Sequence, residues 1–261
     1  MKLPLYQVDA FTNKVFGGNP AAICPLETWL PDSTLHKIAA ENNLSETAFF
    51  VAKGNDFELR WFTPTTEVDL CGHATLATSH VLFEFLNYGE KTITFHSKSG
   101  ELTVERTKDG YSMNFPANTY KETEVTPLLS RALGVKPIHA ILGKNILMAE
   151  VRSEKELRSL IPEIYTVMQV HPHGLIITAK GDEVDFVSRS FFPNVGINED
   201  PVTGASHTLL TPYWASKLGK SSMSARQLSK RGGELKCTLV GDRVEIAGQA
   251  VLYLKGEIEI L

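Results

Sequence analysis

The sequence predicts an α+β protein of two pseudo-symmetric domains, each a mostly antiparallel sheet curled around one central helix. Three observations predict it. Arg60-Trp61-Phe62-Thr63-Pro64 recurs as Arg189-Ser190-Phe191-Phe192-Pro193, sharing Arg-x-Phe-x-Pro, and the same offset sets Cys71 opposite Asp200. Each copy runs through small residues, Gly72-His73-Ala74-Thr75 or Thr203-Gly204-Ala205-Ser206, into a helical segment; the first of these is apolar almost all round, as a helix buried on most sides is. Four further pairs keep the same order: Gly17-Gly18-Asn19 with Gly143-Lys144-Asn145, Ala52-Lys53-Gly54 with Ala179-Lys180-Gly181, Gly100-Glu101-Leu102 with Gly233-Glu234-Leu235, and the turn at Asp109-Gly110 with that at Gly241-Asp242. The expected domains are 1–116 and 125–261, with the last strand free to return to the first.

Each element has a local reason. Residues 6–11 alternate as a half-buried strand, and Phe16-Gly17-Gly18-Asn19-Pro20 turns the chain into a second strand over 21–24. Pro31-Asp32-Ser33 opens a helix carrying Leu35, Ile38 and Ala39, which ends at Asn42-Asn43. Strands follow at 45–51, beginning with Glu46, and at 57–62. After the Cys71 loop comes the helix over 74–86, then strands at 92–95, 102–104 and 111–115 and a linker at 116–119. The second half repeats the plan. It has helices over 127–133 and 154–160, hairpin strands around Gly143, strands over 174–178 and 185–191, and the second central helix over 205–218. Strands at 235–240, 244–246 and 249–254 close it, with 258–261 as a last strand.

With 26 Lys and Arg against 30 Asp and Glu, the net charge of −4 leaves no basic stripe to draw nucleic acid or an anionic membrane. No signal-peptide core or membrane-length apolar run is present, so a cytoplasmic protein is expected. Cys24, Cys71 and Cys237 are an odd set without Cys-x-x-Cys spacing, which reads as free thiols. His171-Pro172-His173 lacks a third ligand at defined spacing, so neither a metal nor any other cofactor is expected.

Two helix N-termini brought face to face would offer unpaired N–H groups and positive dipole ends to a small carboxylate. Gly72 and Gly204 let the backbone come close. Between these ends fall Cys71, His73, Asp200 and Glu46, a set that moves protons but contains no evident activated nucleophile. Other readings stand beside these: Cys71 as a small buried hydrophobe, Asp200 as a turn or cap residue before Pro201, His73 as a loop filler, Glu46 as a solvated strand start.

Asp9-Ala10-Phe11 with Phe16-Gly17-Gly18-Asn19-Pro20-Ala21, Asn43-Leu44-Ser45-Glu46-Thr47, Leu70-Cys71-Gly72-His73-Ala74-Thr75 and Glu199-Asp200-Pro201-Val202-Thr203-Gly204 together resemble the phenazine biosynthesis PhzF-like family over essentially the whole chain. The resemblance implies a diaminopimelate epimerase-like fold, a site between the domains and a homodimer. It makes Glu46 the general acid/base, with His73 and Asp200 at substrate-contacting positions. Asn19, Gly72, Ala74, Thr203, Gly204, Ala205 and Ser206 are the expected substrate-binding set, Ala205 standing where a polar residue often follows the Asp-Pro-x-Thr-Gly motif. Cys71 matches the first of two catalytic cysteines in the related epimerases, and Asp200 occupies the second position. The leading expectation is a cofactor-independent isomerase of a small carboxylate-bearing metabolite. The alternatives are an amino-acid epimerase using Cys71 with Asp200 or Glu46, and a non-catalytic metabolite-binding protein.

Overall fold

In the computed structural model, which describes residues 1–260, β1 (Lys2–Ala10) turns back as β2 (Asn19–Leu26), with Ala10 paired to Asn19. Asp9 Oδ2 pins the loop by accepting the Phe16 N–H at 2.8 Å. Gly18 is required there: its φ is +60°, and a Cβ would stand 2.0 Å from the Ala10 carbonyl oxygen. Helix α1 (Asp32–Asn42) then carries the chain to β3 (Glu46–Lys53), parallel to β2 with Ala21 beside Glu46. Antiparallel β4 (Asp56–Phe62) follows, and two-residue β5 (Glu67–Val68) folds back on it. After helix α2 (Gly72–Phe85), β6 (Thr92–Ser97) runs parallel to β4, and β7 (Gly100–Thr107) and β8 (Gly110–Pro116) continue antiparallel.

The second half contains β9 (Tyr120–Glu122), α3 (Pro127–Leu133), β10 (His139–Gly143), β11 (Leu147–Glu150), α4 (Glu154–Ser159) and α5 (Ile164–Val170). Strand β12 (Leu175–Lys180) lies parallel to β11 and antiparallel to β13 (Phe186–Phe192), on which β14 (Ile197–Asp200) folds back after a short 3-10 turn. Helix α6 (Gly204–Leu218) leads to β15 (Ser222–Gln227), parallel to β13, then β16 (Gly233–Val240) and β17 (Arg243–Gly248). Strand β18 (Ala250–Glu259) pairs antiparallel with β1. One compact unit comprises Met1–Asn114 with the chain from Ile246 onward, the other Phe115–Glu245.

The two units share one plan. The series β2-β3-β4-β5-α2-β6-β7 and β11-β12-β13-β14-α6-β15-β16 have the same pairing directions at every step. The repeated Arg-x-Phe has the same task in both. Arg60 Nε and Nη2 each donate to Glu67 at 2.8 Å, and Arg189 donates to Glu199 at 2.7 and 3.0 Å. Each guanidinium also lies over the ring two residues on, 5.0 Å from Phe62 and 5.2 Å from Phe191. A bidentate pair of this kind fastens the returning strand, and with it the start of the following helix.

Helices α2 and α6 are buried on nearly every side. Their buried hydroxyls are satisfied locally: Thr75, Thr78, Ser79 and Thr211 each donate to the carbonyl four residues back. Pro212, inside α6, has no N–H for the Thr208 carbonyl, and the Asn118 N–H donates there instead at 3.0 Å. In the first unit the sheet also packs against α1 through Leu26, Leu35, Ile38, Phe49 and Phe62. In the second, Leu129, Leu133, Leu157, Val167 and Ile177 form the core with α3, α4 and α5. Strands covered on both faces explain the unbroken apolar runs Ala21-Ala22-Ile23-Cys24 and Leu175-Ile176-Ile177.

Several elements differ from expectation. The sheets are mostly antiparallel as expected, but the helical crossovers add parallel pairs such as β2 with β3 and β11 with β12. Helix α5 and strands β5, β9, β14 and β15 are too short or too polar to show a period. The two strands expected at 249–254 and 258–261 are the single β18, and Leu261 lies outside the described residues. No helix among the described residues is long and apolar enough to cross a membrane.

Candidate active site

Three chain segments converge in the first unit. Asn19 opens β2, Glu46 opens β3 on the parallel neighbour, and Cys71 is the N-cap of α2 with His73 in its first turn. All four side chains are buried. His73 is the hub. Asn19 Nδ2 donates to His73 Nδ1 at 3.2 Å, and the Cys71 thiol lies 3.5 Å from the same nitrogen. With Nδ1 accepting, the neutral ring carries its proton on Nε2, which stands 3.2 Å from Glu46 Oε2 without the alignment of a hydrogen bond. Burial pushes the imidazole down to about 3, so the ring is neutral at physiological pH. Burial also pushes the Cys24 and Cys237 thiols up to about 12 and keeps them protonated.

The N-terminus of α2 is bare: no side chain caps it, and its first turn holds no acidic residue. Of the peripheral helices, α1 and α5 also start without a side-chain cap, whereas α3 and α4 are capped. Thr126 caps α3 at the Leu129 N–H, and Ser153 caps α4 at the Glu156 N–H with Glu154 and Glu156 in the first turn. Uncapped N–H groups at a positive dipole end favour an anion, and Gly72 and Ala74 place no bulk in front of them.

In the second unit α6 is equally bare at its start. Its N-cap is Thr203, so the positional counterpart of Cys71 is Thr203 and not Asp200. Sheet register agrees, pairing Ser190 with Asp200 where the first unit pairs Trp61 with Val68. The second return is longer between the strand that carries its Arg and the end of the strand folded back on it, while three residues separate that strand from the helix in both units, and a constant offset therefore slipped by a few residues. Asp200 is buried at the end of β14, where its Oδ2 accepts the Thr203 hydroxyl. Gln227, fully buried on β15, fixes both backbones: it donates to the Asp200 carbonyl at 2.8 Å and accepts from the Thr203 N–H at 2.9 Å.

The expected residues thus fall into two sets. Asn19, Glu46, Cys71, Gly72, His73 and Ala74 gather at the start of α2, and Asp200, Thr203 and Gly204 at the start of α6. Ala205 is exposed, while Ser206 is buried with its hydroxyl 3.0 Å from Ser190 Oγ, so it serves the interior of its own unit. Sequence reasoning missed Gln227 and His207. His207 is fully buried with Nδ1 2.8 Å from the Thr203 carbonyl, and burial pushes its imidazole down to about 4. A signal for His207 existed in its position one turn into the second central helix; nothing local marks Gln227.

The family described as phenazine biosynthesis-like protein matches residues 8–256. A Pseudomonas aeruginosa protein named only as an uncharacterized isomerase is 47% identical over 260 residues, covering 100% of both chains. A solved Enterococcus faecalis structure, described as a phenazine biosynthesis protein of the PhzF family, is 46% identical with a TM-score of 0.97 and covers 100% of both chains. A structure described as a predicted epimerase from Pseudomonas aeruginosa shares the fold at 16% identity, with a TM-score of 0.73 over 99% of this chain and 100% of its own.

Proposed function

The chain belongs to the phenazine biosynthesis-like (PhzC-PhzF) family and has its diaminopimelate epimerase-like fold, and from that membership we propose a cofactor-independent isomerase that moves a proton on a small carboxylate-bearing metabolite. The observation that carries this reading is the buried pair of Glu46 and a neutral His73, 3.2 Å apart beside the uncapped start of α2. An imidazolium there would hold Glu46 as a permanent carboxylate. A neutral ring leaves Glu46 able to cycle between base and acid, as proton transfer requires.

Chemically, Glu46 takes a proton from an activated carbon of the substrate and returns it to another carbon of the same conjugated system. The charge left behind spreads into the substrate, and the N–H groups at the start of α2 hold its carboxylate. Asn19 fixes the tautomer of His73, and His73 positions Glu46. Asp200 is held within the second unit, its carboxylate by the Thr203 hydroxyl and its carbonyl by Gln227. We carry the homodimer forward as part of this proposal, testable by sedimentation equilibrium.

A second reading has its own observation. Cys71 stands at the N-cap position of α2 and lies 3.5 Å from His73 Nδ1, which suits a thiol acting as the acid/base of an epimerase. Proton NMR in heavy water with a panel of small amino acids, hydroxy acids and cyclic diene acids separates the two. Deuterium incorporation lost in Glu46→Gln and kept in Cys71→Ser supports the isomerase. The opposite pattern refutes it in favour of the epimerase.

A further inference from the structure

Among the described residues one group brings together three different metal-ligating side chains, and it does not include the His171-His173 pair, for which the sequence offers no third ligand. A carboxylate oxygen of Glu46, the Cys71 sulfur and a ring nitrogen of His73 all lie within 4.8 Å of one another. All three residues are buried, at 9%, 7% and 5% exposure. We propose that Glu46, Cys71 and His73 form a binding site for a borderline-soft divalent transition-metal ion of the zinc class, which holds the proton-transfer residues in an inactive state.

The donor set selects the ion. Thiolate with imidazole suits zinc or cobalt, whereas magnesium and calcium prefer all-oxygen sites. Bond lengths of about 2.0–2.3 Å in a tetrahedral site put neighbouring ligand atoms roughly 3.3–3.6 Å apart. Two contacts are already near that range, at 3.5 Å from Cys71 sulfur to His73 Nδ1 and 3.2 Å from His73 Nε2 to Glu46 Oε2. They involve opposite ring nitrogens, so the ion takes one, the other keeps its proton, and the remaining ligands close in by side-chain rotation. Three protein ligands leave a fourth position for water or a substrate carboxylate, the coordination of an open site.

Binding replaces the Cys71 S–H bond by a metal–sulfur bond and releases that proton to solvent, with no change of oxidation state. With the ion on Nε2 the proton sits on Nδ1, and Asn19 becomes the outer partner that orients the ring once its amide turns to present Oδ1 to that N–H. A metal-bound Glu46 oxygen cannot accept a substrate proton. This last consequence rests on the isomerase reading; the site itself does not.

The test uses the full chain, chelator-treated and reduced, titrated with cobalt(II) without oxygen. Expected are a single equivalent bound, a thiolate-to-cobalt charge-transfer band in the near ultraviolet, four-coordinate d–d bands, one proton released per ion, and loss of the bands when zinc is added. Cys71→Ser and Cys71→Ala should each abolish the charge-transfer band, and Cys237→Ser should keep it. Losing the Glu46 ligand in Glu46→Gln should weaken binding by more than the ~10-fold that loss of an outer partner costs. Absence of the band in the wild-type protein overturns the proposal whether or not the variants fold, and so does a band that survives in folded Cys71→Ser. Cobalt bands together with no isotope exchange in the metal-free protein would uphold the site and refute the isomerase.

Discussion

Replacing the two buried central-helix histidines should flatten the acid side of the stability profile. Burial lowers His73 from 6.5 to about 3 and His207 from 6.5 to about 4. In each case the folded state binds fewer protons than the unfolded state between these values, so stability rises with pH. The contribution is intact above the unfolded value near 6.5 and is lost as pH falls towards the folded value. At about pH 5 an unfolded imidazole is almost fully protonated and a folded one is nearly neutral. Integrating the linkage from about pH 7.5 to about pH 5 gives a loss of ~2 kcal/mol for each histidine, or ~4 kcal/mol together. The exposures of 5% and 0% call for no discount for solvent screening. The assay is urea unfolding at both pH values for wild type, His73→Asn, His207→Asn and the double variant. Comparing the pH-dependent loss within each variant cancels the cost of the substitution itself. Each single variant should lose ~2 kcal/mol less than wild type on acidification. A double variant that loses as much as wild type would refute the assignment of buried neutral rings.

Other outcomes follow from particular contacts. Arg60→Lys cannot make the two parallel bonds to Glu67 and should cost about 2 kcal/mol, with a double-mutant cycle against Glu67→Gln showing positive coupling; Arg189→Lys should behave alike through Glu199. Gln227→Leu leaves the Asp200 carbonyl and the Thr203 N–H without their partner and should destabilise by ~1–3 kcal/mol in denaturant unfolding. Gly18→Ala forces a side chain into a positive φ against the Ala10 carbonyl, so it should cost more than ~1 kcal/mol and displace Asn19 from His73, visible as a changed His73 imidazole NMR shift. Glu46→Gln should keep the unfolding midpoint within ordinary surface-variant scatter while isotope exchange into substrate disappears.

The candidate site was partly legible. Gly72 and Gly204 mark helix starts because small residues followed by a helical run are a local pattern, and both do open helices. Glu46 at a strand start was equally local. The counterpart of Cys71 was misplaced because the sequence offset could not see where the longer second loop takes up its extra residues. Donors at short spacing, as in His171-Pro172-His173, are legible along the chain, whereas Glu46, Cys71 and His73 come together from a strand start and a helix start.

What the sequence by itself determined is the duplicated plan: the Arg-x-Phe-x-Pro strands, the turns at matching points and the two central helices. Such features depend on neighbours a few residues apart, whose period and turn chemistry are written in order along the chain. Tertiary structure alone decided that β2 and β3 run parallel, which places Asn19, Glu46 and His73 around one ring although each is 27 residues from the next. It also decided charge states, since removing water from His73 and His207 keeps the rings neutral, and burial follows from packing and not from residue type.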